Sequence, residues 1–137
     1  MEIALNLPKF SVKNAVRFAW WTAEEFGLVG SEHYVANLPE AERQKIALYL
    51  NFDMIASPNF GYFILDGDGS AFNISGAAGS DHIEKTFEQF YAKNKAKSAP
   101  TQFNGRSDYG AFLDAGIPAG GVNTGAEGIK TEEQVKL

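Results

Sequence analysis

Ala15-Val16-Arg17-Phe18-Ala19-Trp20-Trp21-Thr22-Ala23-Glu24-Glu25-Phe26-Gly27-Leu28-Val29-Gly30-Ser31 is the stretch whose reading decides the fold. Its opening run, Ala15 to Trp21, is mostly apolar, favours extended backbone and follows the turn-like pair Lys13-Asn14. That pattern predicts an interior strand covered on both faces, of the kind found in sheets sandwiched by helices. Two acids follow it directly. Adjacent residues in a strand point to opposite faces, so Glu24 and Glu25 share one site only if the chain leaves the strand there. Gly27 and Gly30 make such a turn plausible.

Working outward, Ser31 to Leu38 reads as a helix, and a second helix starts at Pro39, which suits the first helical position. Glu40 and Glu42 fall in its first turn and Lys45 near its end, as the helix dipole favours. Ile46 to Phe52 reads as another interior strand ending on Asp53, and Tyr62 to Leu65 as a shorter third. The Gly- and Ser-rich region from Asp66 to Gly79 is loop. Ser80 is expected to cap an amphipathic helix with Ile83, Phe87, Phe90 and Tyr91 on one face. A polar stretch to Ser107 leads into a short helix at Tyr109 to Leu113, and Ile117 to Val122 forms the last strand.

Strands alternating with helices predict an α/β fold, a three-layer α/β/α domain with a mixed, mainly parallel sheet. Residues 1–137 are expected to form one partial domain. Met1 to Leu7 begins in helical spacing without a cap, and Thr131 to Leu137 stops in helical-looking sequence without a C-terminal signal, so truncation at both ends is expected.

A formal net charge of -5 argues against a nucleic-acid partner, which would need clustered cations. No apolar run approaches the roughly 20 residues that span a bilayer, and no signal peptide follows Met1. No membrane partner is expected. With no cysteine in the chain, any metal must be held by carboxylates or histidines.

In open α/β sheets the functional crevice lies beyond the carboxyl ends of the strands, where Glu24, Glu25 and Asp53 could converge. Neighbouring carboxylates repel in a crevice of low dielectric, and a divalent cation relieves that repulsion. One acid then binds the metal while the other accepts a proton. A Glu-Glu pair is also common in solvated turns, so the pair alone does not decide.

Four blocks in order decide more: Val16 to Ser31, Tyr49-Leu50-Asn51-Phe52-Asp53-Met54-Ile55-Ala56-Ser57-Pro58, Gly105-Arg106-Ser107-Asp108-Tyr109, and Gly116 to Thr131. Together they resemble the central part of the catalytic domain of the secreted bacterial and fungal zinc-dependent aminopeptidases with a co-catalytic dizinc site. Asp66 to Asn73 leans towards the fungal members. The resemblance implies an exopeptidase that removes N-terminal amino acids from peptides or proteins, using two zinc ions. It implies Glu24 as general base, Glu25 as ligand of one zinc and Asp53 as ligand of the other. It further implies that Glu24, Asp53 and the Arg106 carbonyl hold the substrate's free α-amine. Met54 and the segment Val122 to Gly125 correspond to the pocket for the first side chain, usually apolar. Asn123 and Asn104 stand where the family commonly has an aromatic and an aspartate.

The family's further ligands, a His and a bridging Asp upstream and a His downstream, match no position here. His33 and His82 fall on expected helices outside the motifs. The segment alone is therefore expected to be inactive, and a longer polypeptide carrying it is expected to be secreted or vacuolar. Two alternatives stay open: a non-catalytic remnant of the same fold without metal, and a two-carboxylate glycoside hydrolase using Glu24 and Asp53. Asp66-Gly67-Asp68-Gly69-Ser70 has the start of a calcium loop but lacks its required Gly and Glu, so a plain turn is expected. Asn73-Ile74-Ser75 is an N-glycosylation sequon.

Overall fold

Four strands form one sheet: β1 Tyr49–Phe52, β2 Phe63–Leu65, β3 Ala99–Thr101 and β4 Ala119–Asn123. The computed structural model describes residues 1–136. The order across the sheet is β1-β4-β2-β3. β1 lies parallel to β4 and β2 parallel to β3, while β2 and β4 are antiparallel. The expected mixed, mainly parallel sheet is present. Helices α1 Glu2–Asn6, α2 Val29–Ala36, α3 Glu40–Arg43, α4 Ser80–Lys93 and α5 Tyr109–Asp114 surround it, with tight 3-10 turns at Leu7–Lys9, Glu24–Phe26 and Gln134–Lys136. The helical expectation for residues 131–137 is met by that last turn, and Leu137 lies outside the described residues.

Side chains alternate across a strand, so β4 reports the layers directly. Ala119 closes a buried cluster with Leu65, Phe103 and Tyr109 on the α5 side. Gly120 faces the other way, where a Cβ would fall 2.5 Å from Cγ2 of Ile83 on α4. Helices therefore cover both faces. On the α5 side a second cluster joins Val35 of α2 to Ala111, Phe112 and Ile117, with Trp21, Tyr34 and Tyr49 packed around it. Phe112 is its centre, stacked on Tyr49 with ring centroids 3.9 Å apart and tilted against Trp21 at 6.0 Å.

The expected strand at Ala15 to Trp21 is not formed. It pairs with no strand among the described residues, and Val16, Phe18 and Trp20 are 52%, 38% and 65% exposed. A strand needs a neighbour to take its backbone donors and acceptors, and an apolar composition does not supply that edge. The segment is held instead by side chains, Trp21 packing against Tyr34 and Phe112 and Arg17 donating to the Tyr34 hydroxyl.

Two smaller expectations also change. Gly79, in a left-handed conformation at φ 105, holds the N-cap position of α4, and Ser80 is the first helical residue. The Ser80 hydroxyl is fully buried and accepts from the Ala119 backbone N–H at 3.1 Å, so it serves the sheet instead of capping. The polar stretch expected before Ser107 contains strand β3, with Pro100 at its centre. It is an edge strand, where a missing N–H costs no ladder bond, and it is held by Ala99 N–H donating to the Tyr62 carbonyl at 2.9 Å.

Candidate active site

Because β1 and β4 are parallel, their carboxyl ends open on the same side of the sheet, and Asp53 follows β1 there. The two ends are clamped together. Thr124 donates through its N–H and its hydroxyl to the Met54 carbonyl at 3.0 and 2.6 Å, and Ser57 N–H donates to Thr124 Oγ1 at 2.9 Å. Met54 sits at φ 47, a left-handed conformation that costs a non-glycine residue about 1–2 kcal/mol and persists here because these bonds fix it. The kink sets Asp53 and Met54 at the mouth of the opening.

Glu24 and Glu25 reach the same place by leaving the extended path, as sharing one site requires of adjacent residues. The 3-10 turn Glu24–Phe26 lies between left-handed Ala23 at φ 56 and left-handed Gly27 at φ 96. Gly30 N–H donates to the Thr22 carbonyl at 3.1 Å, and a Cβ on Gly30 would stand 2.6 Å from that oxygen. Only glycine allows that approach. Glu24, Glu25, Asp53, Met54 and Arg106 all line one open cleft of about 610 Å³. The residues expected to form the site are thus brought together.

Glu24, Glu25, Asp53 and Glu127 line the cleft against Arg106 and Lys130. Burial pushes the Glu24 carboxyl above its ordinary value, and Asp53, Glu25 and Asp108 add to the rise while Arg106 opposes it. Burial likewise raises Asp108; the Ser31 hydroxyl opposes the rise and Asp53 adds to it. Oδ1 of Asp108 is buried without a hydrogen-bond partner among the described residues. A divalent cation would relieve crowding of this kind, although among the described residues no three of these carboxylates bring ligand atoms within 4.8 Å of one another, and Asp108 stands behind the cleft lining. The set is partial. Among the described residues no histidine lines the cleft: His33 on α2 is exposed, and the His82 side chain on α4 is 82% exposed.

Sequence reasoning passed over Asn51 and Ser107, both buried at the floor of the cleft. Ser107 donates to Asp53 Oδ2 at 2.8 Å and receives Asn51 Nδ2–H at 3.0 Å. The signal was at hand, since both residues fall inside quoted blocks and flank the acids. A second acidic group, Asp66, Asp68 and Glu84, brings carboxylate oxygens within 4.8 Å of one another. Its oxygens serve the loop: Asp66 accepts from Ala71 and Phe72 N–H at 3.1 and 2.8 Å, and Glu84 accepts from Asp68 N–H at 3.0 Å. It is the turn the sequence suggested, with Glu84 of α4 as an added anchor.

Fold and site define an α/β protein with a carboxylate-rich crevice beyond the carboxyl ends of its parallel strands. The family model described as "Peptidase family M28" matches residues 1–134. The chain belongs to that family. It is 63% identical to "Probable leucine aminopeptidase 2" of Aspergillus fumigatus over 137 residues, covering 100% of this chain and 27% of the relative. It is 58% identical to "Leucine aminopeptidase 2" of Trichophyton equinum over 137 residues, covering 100% of this chain and 28% of that protein. The chain thus spans little more than a quarter of these relatives. Among solved structures, the aminopeptidase from Aneurinibacillus sp. strain AM-1 superposes with TM-score 0.58 at 27% identity, over 76% of this chain and 23% of that one. "BSAP, a zinc aminopeptidase from Bacillus subtilis" shares the fold at TM-score 0.62 and 24% identity, over 85% of this chain and 29% of that one.

Proposed function

We propose that this chain is the segment of a zinc aminopeptidase that carries the general base and one ligand for each of two metal ions. The observation that supports it most is the convergence of Glu24, Glu25 and Asp53 in one cleft with raised Glu24 basicity. Glu25 and Asp53 are the proposed ligands, and His and Asp ligands from a longer polypeptide would complete the set. When bound, zinc supplies Lewis-acid polarisation of the scissile carbonyl and lowers the pKa of water.

The chain's own groups do the rest. Glu24 takes a proton from the attacking water and passes it to the leaving amine, a task helped by a pKa raised towards neutrality. The free α-amine of the substrate is held by Glu24, Asp53 and the Arg106 carbonyl, which confines cleavage to the first residue of a peptide or protein. Met54 and the segment from Val122 to Gly125 receive the first side chain. Asn123 narrows the apolar character of that pocket, its Oδ1 being taken by Gly125 N–H at 3.0 Å.

A secreted or vacuolar location for the longer polypeptide accords with the exposed sequon Asn73-Ile74-Ser75 in the loop before α4. No described helix is long and apolar enough to cross a membrane. A second reading, a remnant that binds no metal, draws support from the absence of histidine from the cleft among the described residues. Glu24→Gln in the longer polypeptide separates the two. Loss of turnover with zinc content unchanged supports the catalytic reading, and unchanged turnover refutes the role of Glu24.

A further inference from the structure

Between the aromatic cluster and the cleft, five side chains are joined head to tail by hydrogen bonds. Trp21 Nε1–H donates to the Tyr49 hydroxyl at 3.0 Å, Tyr49 O–H to Asn51 Oδ1 at 3.1 Å, Asn51 Nδ2–H to Ser107 Oγ at 3.0 Å, and Ser107 O–H to Asp53 Oδ2 at 2.8 Å. We propose that this chain is a one-way relay that fixes the carboxylate of Asp53, making Trp21, Tyr49 and Asn51 positioning residues for it. The proposal rests on the reading of Asp53 as a metal ligand only for its purpose; the relay itself is a property of this chain.

The direction is set from both ends. Indole N–H only donates, and an ionised carboxylate only accepts. Ser107 has one hydroxyl hydrogen, which goes to Asp53, so Asn51 must present its amide nitrogen to Ser107. That orientation leaves Asn51 Oδ1 facing Tyr49, which must supply its own hydrogen and therefore accepts from Trp21. Reversing either link through Asn51 would leave Ser107 owing two hydrogens. Burial raises the Tyr49 hydroxyl to about 12, so it keeps its proton and stays a donor.

Asp53 lines the cleft with one oxygen engaged. Oδ2 is held by Ser107, and no described hydrogen bond takes up Oδ1. A carboxylate restrained this way offers one oxygen in a fixed direction, at a lower entropy cost than a free side chain. The rigid end of the relay is the aromatic cluster, where the Tyr49 ring lies flat on Phe112 at 9° and Trp21 packs on Tyr34 at 5.0 Å.

The test is an NMR measurement on the 137-residue chain with isotope-labelled aspartate carboxyl carbons, the Asp53 signal being assigned by its loss in Asp53→Asn. Tyr49→Phe keeps the stacked ring and removes the donor. It is expected to shift the Asp53 signal in the same sense as Ser107→Ala, and the double variant to shift it no further than Ser107→Ala alone. Tyr34→Phe is the control. It removes a hydroxyl of the same cluster that pairs with Arg17 and lies outside the relay, so it should leave the signal in place. Ser107→Thr keeps the hydroxyl and should restore the wild-type signal. If Tyr49→Phe disturbs folding, Trp21→Phe tests the same path from its far end. An Asp53 signal unmoved by both variants, or moved equally by Tyr34→Phe, overturns the relay. Zinc content after dialysis of a chain extended with the missing ligands reads the ligand assignment separately, because a content that Asp53→Ala leaves unchanged counts against that assignment and leaves the relay result standing.

Discussion

Ser107 and Asp53 lie 54 residues apart in the chain and meet at 2.8 Å, the serine hydroxyl donating to the carboxylate. One bond thus ties the loop before α5 to the end of β1. Ser107→Ala would leave Asn51 Nδ2 buried without an acceptor and Asp53 without its donor. An unsatisfied buried group costs about 1–3 kcal/mol, so the variant should lose stability of that order in a urea titration. Ser107→Thr should lose much less.

Acid crowding predicts a pH dependence with a definite sign. Burial and neighbouring acids raise the Glu24 carboxyl, and burial raises Asp108, so the folded chain holds these protons more tightly than the unfolded one. Their contribution to stability is then highest below the ordinary carboxylate value, about 4.3 for Glu, and falls as pH rises from there through the raised values. These two groups should therefore lower the melting temperature of the metal-free chain as pH increases across that window, against the opposite contribution of Glu42, Asp68 and Asp81, whose hydrogen bonds hold their carboxyls below the ordinary value. Glu24→Gln and Asp108→Asn should each gain melting temperature relative to wild type as pH rises through the window, and a relative loss in both would contradict the direction of these shifts.

The turn that carries the two glutamates depends on Gly30. A methyl group there would stand 2.6 Å from the Thr22 carbonyl oxygen and 2.9 Å from its nitrogen, both backbone atoms that cannot swing aside. Overpacking of this kind typically costs about 1–3 kcal/mol. Gly30→Ala should lower the melting temperature and move the Glu24 and Glu25 backbone amide signals. Gly27→Ala meets no atom within 4 Å, so it should strain only its own left-handed φ of 96 and cost less.

Much of this was legible in the chain. Asp53 at the end of β1, the α4 helix and the strand after Ile117 followed from periodicity and punctuation, and the condition on Glu24 and Glu25, that the backbone must turn, was met by Ala23 and Gly27. What was not legible needed partners. Ala15 to Trp21 has strand composition, yet among the described residues no edge pairs with it. β3 holds Pro100, which is harmless only at an edge, and edge status is a property of the assembled sheet. Asn51 and Ser107 look like ordinary polar residues until the fold places them 3.0 Å apart. Long-range hydrogen bonds leave no period in a sequence.

The last prediction concerns the chain by itself. On the proposed assignment Glu25 and Asp53 would offer one carboxylate to each of two metals, whereas a catalytic zinc normally has three protein ligands. Among the described residues no histidine lines the cleft, and the chain spans 27% of its Aspergillus fumigatus relative. Isolated carboxylates bind zinc weakly, and without the metal water keeps a pKa far above neutrality, so Glu24 has no competent nucleophile to generate. The purified chain should therefore hydrolyse leucine p-nitroanilide no faster than buffer, with or without added zinc. Extending the chain at both ends with the corresponding segments of that fungal relative should restore turnover, and a chelator should abolish it. In the extended chain Glu25→Ala and Asp53→Ala should each reduce both zinc content after dialysis and rate, whereas Glu24→Gln should reduce rate alone. Chelator-sensitive turnover by the unextended chain would show that its cleft already holds a working metal site and would overturn the ligand count.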